Sequence, residues 1–132
     1  MTNATRKKTI LVIEDELPLI KIIKTKLEKN EIDVAIFRTV AQAIKHLEKV
    51  ETVDAIWLDH YLPGKENGID FVAQLKAPKS KWSKVPIFVV SNTASNENVK
   101  SYKKLGVSKY YVKAVNRLDK IIKEIKPMMG SR

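Results

Sequence analysis

Five polar positions stand where short apolar runs of the chain stop. Glu14 and Asp15 follow TILVI, Asp59 closes DAIWLD (54 to 59), Ser91 closes PIFVVS (86 to 91) and Lys113 closes KYYVK (109 to 113). Asp is a poor strand former and costly to bury unpaired, so its place at the end of such a run needs a reason. Three carboxylates brought together repel one another and raise their own pKa values unless a cation intervenes. A hard divalent ion with oxygen ligands, Mg²⁺ above all, resolves that repulsion. A lysine ammonium and a serine hydroxyl opposite the ion bound a space suited to a phosphoryl group. Asp59 is then the natural nucleophile, because carboxylates form acyl phosphates while metal and lysine neutralise charge on the transferring oxygens. A lone Asp would more simply cap a loop. The other four strand-end residues argue for chemistry.

The elements that must position these groups are legible as alternating patterns. TILVIE (9 to 14), DVAIF (33 to 37) and the three runs quoted above have strand length and β-branched or aromatic content. Between them lie helical spacings: Ile20, Ile23 and Leu27 behind Pro18, then Val40, Ala43, Ile44 and Leu47, then a segment from Ile69 to Leu75. Val99 and Tyr102 mark a fourth helix that Gly106 can end. Leu118, Ile121, Ile122 and Ile125 mark a fifth, opened by Asn116. Five alternations with strands apolar throughout predict a doubly wound α/β domain with a five-stranded parallel sheet covered on both faces. In such sheets the site lies beyond the carboxyl ends of the strands, where all five polar groups converge. Asp59 thus ends its strand to face phosphate arriving from solvent, and LPGKENG turns the chain toward the next helix, with Pro63 and Gly64 serving the turn.

At 132 residues, 44% of them hydrophobic, the chain makes one domain with a single core, taken as residues 1–132 with a tail at 127–132 that frays. It has no cysteine, which removes disulfides and thiolate metal sites and suits a reducing, cytoplasmic setting. MTNATRKK leads into no signal peptide, and no run is long enough to span a membrane. The net charge of +10 is unevenly divided: residues 1 to 70 hold 11 basic and 12 acidic side chains, and residues 71 to 132 hold 14 and 3. A basic half implies an acidic partner, a nucleic acid, or only a solvated lysine-rich surface.

VIEDE, LDHYLP, VVSN and YYVK, at these strand ends, resemble the receiver domain of two-component response regulators over roughly residues 8 to 126. The resemblance implies a flavodoxin-like fold with strand order 2-1-3-4-5. Asp59 matches the phosphoacceptor, supplied by the phosphohistidine of a sensor histidine kinase or phosphotransfer protein. Glu14 and Asp15 match the acidic pair that holds Mg²⁺, Asp15 directly and Glu14 mainly through water, with the backbone carbonyl of Tyr61 as a further ligand. Lys113 matches the lysine that pairs with the phosphoryl oxygens, Ser91 the hydroxyl that swings toward them, and Tyr110 the aromatic whose rotamer follows. A receiver is not an enzyme acting on other substrates; its phosphotransfer and dephosphorylation are Mg²⁺-dependent and self-catalysed. With no output domain after residue 126, such a module acts by binding a partner protein.

The chain departs from the family pattern at Ala114, where proline usually follows the lysine through a cis peptide. A cis bond to a non-proline residue costs about 2.5–4 kcal/mol against roughly 0.5–1 for proline, so a trans bond with a rearranged loop is expected ahead of a strained cis one. Asn92 is larger than the small residue common after the switch hydroxyl, and the loop after Pro63 is one residue longer; both bear on access to Asp59. The remaining conspicuous residues read as packing: His60 points away from the site, His46 lacks partner spacing, Tyr111 and Trp57 belong to the core, and Trp82 folds back as a lid. Three other functions compete. A phosphorylation-independent receiver-like binding module would keep the fold alone. A nucleic-acid-binding protein would use the basic half, but no helix-turn-helix fits among five strands and five helices. An aspartate-nucleophile phosphatase needs a second carboxylate two residues after Asp59, and Tyr61 stands there.

Overall fold

Each of the five apolar runs forms a strand, and a helix follows each one. The order is β1 (Thr9–Ile13), α1 (Leu17–Lys29), β2 (Asp33–Phe37), α2 (Val40–Leu47), β3 (Ala55–Leu58), α3 (Gly68–Leu75), β4 (Ile87–Ser91), α4 (Asn96–Leu105), β5 (Lys109–Val112) and α5 (Leu118–Ile125). The structure, a computed structural model, describes residues 7–59, 68–92, 96–113 and 117–129. All pairings are parallel and the sheet order is β2-β1-β3-β4-β5, as the resemblance implied. The order reverses between β1 and β3, whose carboxyl ends carry the acidic residues.

Side chains of successive strand residues leave opposite faces of the sheet, so the apolar runs feed two cores at once. Leu11, Ile13, Ile56, Leu58 and Val89 face one side and pack against Val40, Ala43 and Leu47 of α2, Phe71, Val72 and Leu75 of α3, and Tyr102 of α4. Ile10, Val12, Trp57, Phe88 and Val90 face the other and meet Ile23 and Leu27 of α1 and Ile121, Ile122 and Ile125 of α5. Each fully buried Leu, Ile or Val on these faces contributes about 1.5–3 kcal/mol.

Local chemistry sets the helix ends. The Thr39 hydroxyl accepts the Gln42 amide (3.1 Å) and the Gln42 side chain accepts the Arg38 amide (3.1 Å), a reciprocal cap on α2. Gly106, at φ +96°, donates its amide to the Tyr102 carbonyl (3.1 Å) and ends α4 as the sequence predicts. α5 is capped differently from expectation: Arg117 takes the N-cap position without a side-chain bond, and Asn116 lies outside the described residues. On the α5 side, Tyr111 donates to Glu124 (2.9 Å) and Lys26 of α1 to Asp119 (2.7 Å). Those bonds hold the Glu124 and Asp119 carboxyls below their ordinary range. Burial first, then the Glu124 bond and charge, push the Tyr111 phenol up.

Of the tail expected to fray at 127–132, residues 127–129 are among the described residues. Lys126–Met128 form a 3-10 turn, and Met129 is 2% exposed in the α1/α5 core, because a methionine that follows α5 directly can fold back onto the apolar floor of the sheet. Trp82 and Tyr111 are buried as expected. Trp82 sits under Lys81, whose ammonium lies 4.8 Å from the ring. His46 packs on Phe37 (centroids 4.8 Å apart).

Candidate functional site

The carboxyl rim of the sheet gathers the predicted charges. Asp59 leaves β3 by donating its amide to the Ile13 carbonyl (3.1 Å), and Glu14 leaves β1 by donating its amide to Phe37 (3.0 Å). Both acids therefore remain in sheet geometry for one residue beyond their strands. Carboxylate oxygens of Glu14, Asp15 and Asp59 lie within 4.8 Å of one another. At the end of β5, Lys113 donates its amide to the Ser91 carbonyl (2.7 Å), which aims its side chain back over the rim. Its ammonium lies 3.2 Å from Glu14 and 3.6 Å from Asp59. Among the described residues, three carboxylates face one lysine in a place where Glu14 is fully buried.

Glu14 is the most committed of the acids. One oxygen accepts the amides of Asp15 and Glu16 (3.2 Å each), and the other takes Lys113. Asp15 is half-buried, with a carboxylate that turns toward the shared space. Asp59, expected to face solvent, is only 5% exposed, with the Lys113 ammonium 3.6 Å from its carboxylate. Ser91 is fully buried at the end of β4. Tyr110, opposite Val89 in the β4–β5 register, is half-buried, and its ring lies 5.8 Å from that of Tyr102. Asn92 is exposed. Tyr61, His60, the loop after Pro63 and the Lys113–Ala114 peptide lie outside the described residues.

Sequence reasoning overlooked two contributors to the rim. Arg38 follows β2 and so stands at the same edge as the other strand-end residues; its guanidinium donates to the Asp15 carbonyl (3.0 Å). Gly68, the first residue of α3, is met by the Tyr102 hydroxyl so closely that a Cβ there has no room, with Leu58 also 3.2 Å from that position. The first had a signal in its strand-end position. The second had none, since nothing in the order of residues says which side chain of α4 reaches α3.

Among the described residues the donor set suits a hard cation: three carboxylates, all oxygen. Comparison with known proteins agrees. The response regulator receiver domain family matches residues 10–126. Among solved structures, the chain is similar to the phosphorylated cyanobacterial phytochrome response regulator RcpA, at 26% identity and TM-score 0.81, covering 94% of each chain. It is similar to the Mn²⁺-bound form of response regulator Rcp1, at 25% identity and TM-score 0.77, covering 90% of this chain and 91% of that one. A CheY-like receiver domain protein from Methanospirillum hungatei JF-1 shares the fold at 22% identity and TM-score 0.82, with 94% of each chain covered. No protein of curated function matches in sequence.

Proposed function

The chain belongs to the response regulator receiver domain family, and on that premise we propose that Asp59 accepts a phosphoryl group in a Mg²⁺-dependent reaction that controls binding to another protein. The observation that carries this reading is the convergence of three carboxylates within 4.8 Å beneath a single lysine. A bound Mg²⁺ supplies charge neutralisation for the transferring oxygens. Asp15 and Asp59 would hold it directly, and the family resemblance adds the backbone carbonyl of Tyr61, which lies outside the described residues. Glu14 acts through water, for its oxygens already serve two amides and Lys113. RcpA, whose structure is of a phosphorylated response regulator, and Mn²⁺-bound Rcp1 support both halves of the reading.

In the transfer, an Asp59 carboxylate oxygen attacks the phosphorus of a phosphohistidine on a sensor kinase or phosphotransfer protein. An O–P bond forms, the N–P bond breaks, and the departing imidazole takes up a proton. Lys113, already within 3.6 Å, pairs with the new phosphoryl oxygens, so its attachment to Glu14 and Asp59 must loosen. Ser91 then turns toward the phosphoryl group and Tyr110 follows into the space vacated. The face formed by α4, β5 and α5 is the output. Its Lys100, Lys103, Lys104, Lys120 and Lys123 are exposed and have no ion pair among the described residues, whereas Asp119 and Glu124 are paired with Lys26 and Lys109. An acidic protein surface is the complement, and opposed charge speeds encounter more than it deepens affinity. Among the described residues no helix is long and apolar enough to cross a membrane. A cytoplasmic setting fits the absence of cysteine.

Intact-mass analysis after incubation with a small phosphodonor and Mg²⁺ tests the site. One added phosphoryl group is expected, lost in Asp59→Asn and on chelation. Equal modification of the variant, or indifference to chelation, refutes the assignment.

A further inference from the structure

The sheet has two edges, and the edge far from the output face is built to receive a strand. Among the described residues β2 pairs only with β1. Asp33 donates its amide to Lys8 and Phe37 accepts from Glu14, so in the alternation of a parallel ladder Asp33, Ala35 and Phe37 bond inward. The N–H and C=O groups of Val34 and Ile36 therefore point outward, away from β1, about 6.6 Å apart. Beside this edge a groove of about 440 Å³ runs between β2 and α2, lined by Ile36, Phe37, Arg38, Gln42, Lys45, His46 and Lys49.

The charge of this groove is one-sided. Arg38, Lys45 and Lys49 are exposed and no acidic residue lines it, although the first 70 residues together carry 11 basic and 12 acidic side chains. Among the described residues none of the three forms an ion pair; Arg38 is tied to a backbone carbonyl only. Lys45 lies in the last turn of α2 and Lys49 in the turn just beyond its end, and both line the groove.

We propose that the β2–α2 groove docks an extended acidic segment of a partner protein, which adds to the sheet beside β2 and places alternate carboxylates on Lys45 and Lys49. Main-chain bonds to Val34 and Ile36 supply affinity, and the lysines supply selection for acid at alternate positions. A nucleic acid fits less well. It cannot pair with the strand edge, and the rings lining the groove, Phe37 and His46, lie tilted against each other at 4.8 Å between centroids. This surface is separate from the α4–β5–α5 face and needs neither metal nor phosphoryl group.

Fluorescence anisotropy of a labelled short peptide alternating Glu and Thr tests it, with unphosphorylated protein in the presence of a chelator. Reversing two exposed ion pairs, in Lys45→Glu with Lys49→Glu, should weaken binding at least about tenfold. Lys103→Glu with Lys120→Glu should leave it within about twofold, as expected when the second patch takes no part. A peptide N-methylated at alternate amides should bind at least about tenfold more weakly, since it cannot pair with Val34 and Ile36. The proposal is overturned if the 45/49 variant binds as the natural chain does, or if the 103/120 variant loses as much. It is equally overturned if N-methylation has no effect, or if oligothymidylate of equal charge competes as well as the peptide. A failure of phosphotransfer at Asp59 would leave all these readouts unchanged, so the two readings stand or fall apart.

Discussion

Gly68→Ala tests the contact between the two helices that flank the acceptor. A Cβ at this position would run into the Tyr102 hydroxyl, and Leu58 Cδ2 would lie 3.2 Å away. Tyr102 is fully buried, so its ring has no solvent to move into. Overpacking of this kind costs about 1–3 kcal/mol. Against it stands the helix preference of Ala over Gly, at most about 1 kcal/mol and smaller at the first residue of a helix. The net expectation is a loss of about 1–2 kcal/mol. With about 2.1 cal/mol/K of unfolding entropy per residue over 132 residues, that lowers Tm by about 4–7 °C. The decisive arm is Tyr102→Phe. Without the hydroxyl, the nearest ring atom to the new methyl is Tyr102 Cζ at 3.5 Å, an ordinary contact. Urea unfolding of both single variants and the double variant should therefore give a favourable coupling of about 1 kcal/mol or more. Additivity within about 0.5 kcal/mol, or a Gly68→Ala protein as stable as the parent, would show that Tyr102 does not press on α3.

Met129→Ala should lower stability by about 2 kcal/mol, at the low end for a buried methionine because a chain end can collapse into the gap; unchanged urea unfolding would mean that the tail does fray. Lys113→Met removes the cation facing Glu14 and Asp59, so metal-free protein should unfold several degrees earlier, and Mg²⁺ should raise its Tm more than that of the natural chain, as differential scanning calorimetry would register. The depressed carboxyls of Asp119, held by Lys26, and Glu124, held by Tyr111, stabilise the fold above the ordinary carboxylate range and lose that contribution as pH falls through their lower folded values. The acid limb of stability against pH should therefore flatten in Asp119→Asn with Glu124→Gln. The raised Tyr111 phenol works in the other direction. Unfolded chains lose that proton first, so stability should fall above about pH 10, and less steeply in Tyr111→Phe. Lys103→Glu with Lys120→Glu should slow association with an acidic output partner, measured by stopped flow at low and physiological salt, while phosphorylation of Asp59 proceeds as before; an unchanged rate would reduce the basic face to a solvated surface.

The order of residues determined most of the sheet by itself, because a strand buried on both faces must be apolar throughout and its ends must be polar. DAIWLD and PIFVVS needed no partner to be read as strands, and the change from apolar to polar at Glu14, Asp59, Ser91 and Lys113 placed all four on one rim before any contact was known. The same logic extended to Arg38, which follows β2, had it been applied there. What the chain order does not contain is distance. Only the folded rim shows that Lys113 lies nearer Glu14 than Asp59, and that Asp59 is covered rather than open. The burial of Met129, the pressure of Tyr102 on Gly68 and the meeting of Lys45 and Lys49 with β2 at one groove belong to the same class. Each joins elements far apart in sequence through a close approach that depends on how helices settle on a twisted sheet. Local patterns fix which face of an element is apolar, but the packing of one face on another decides which atoms meet.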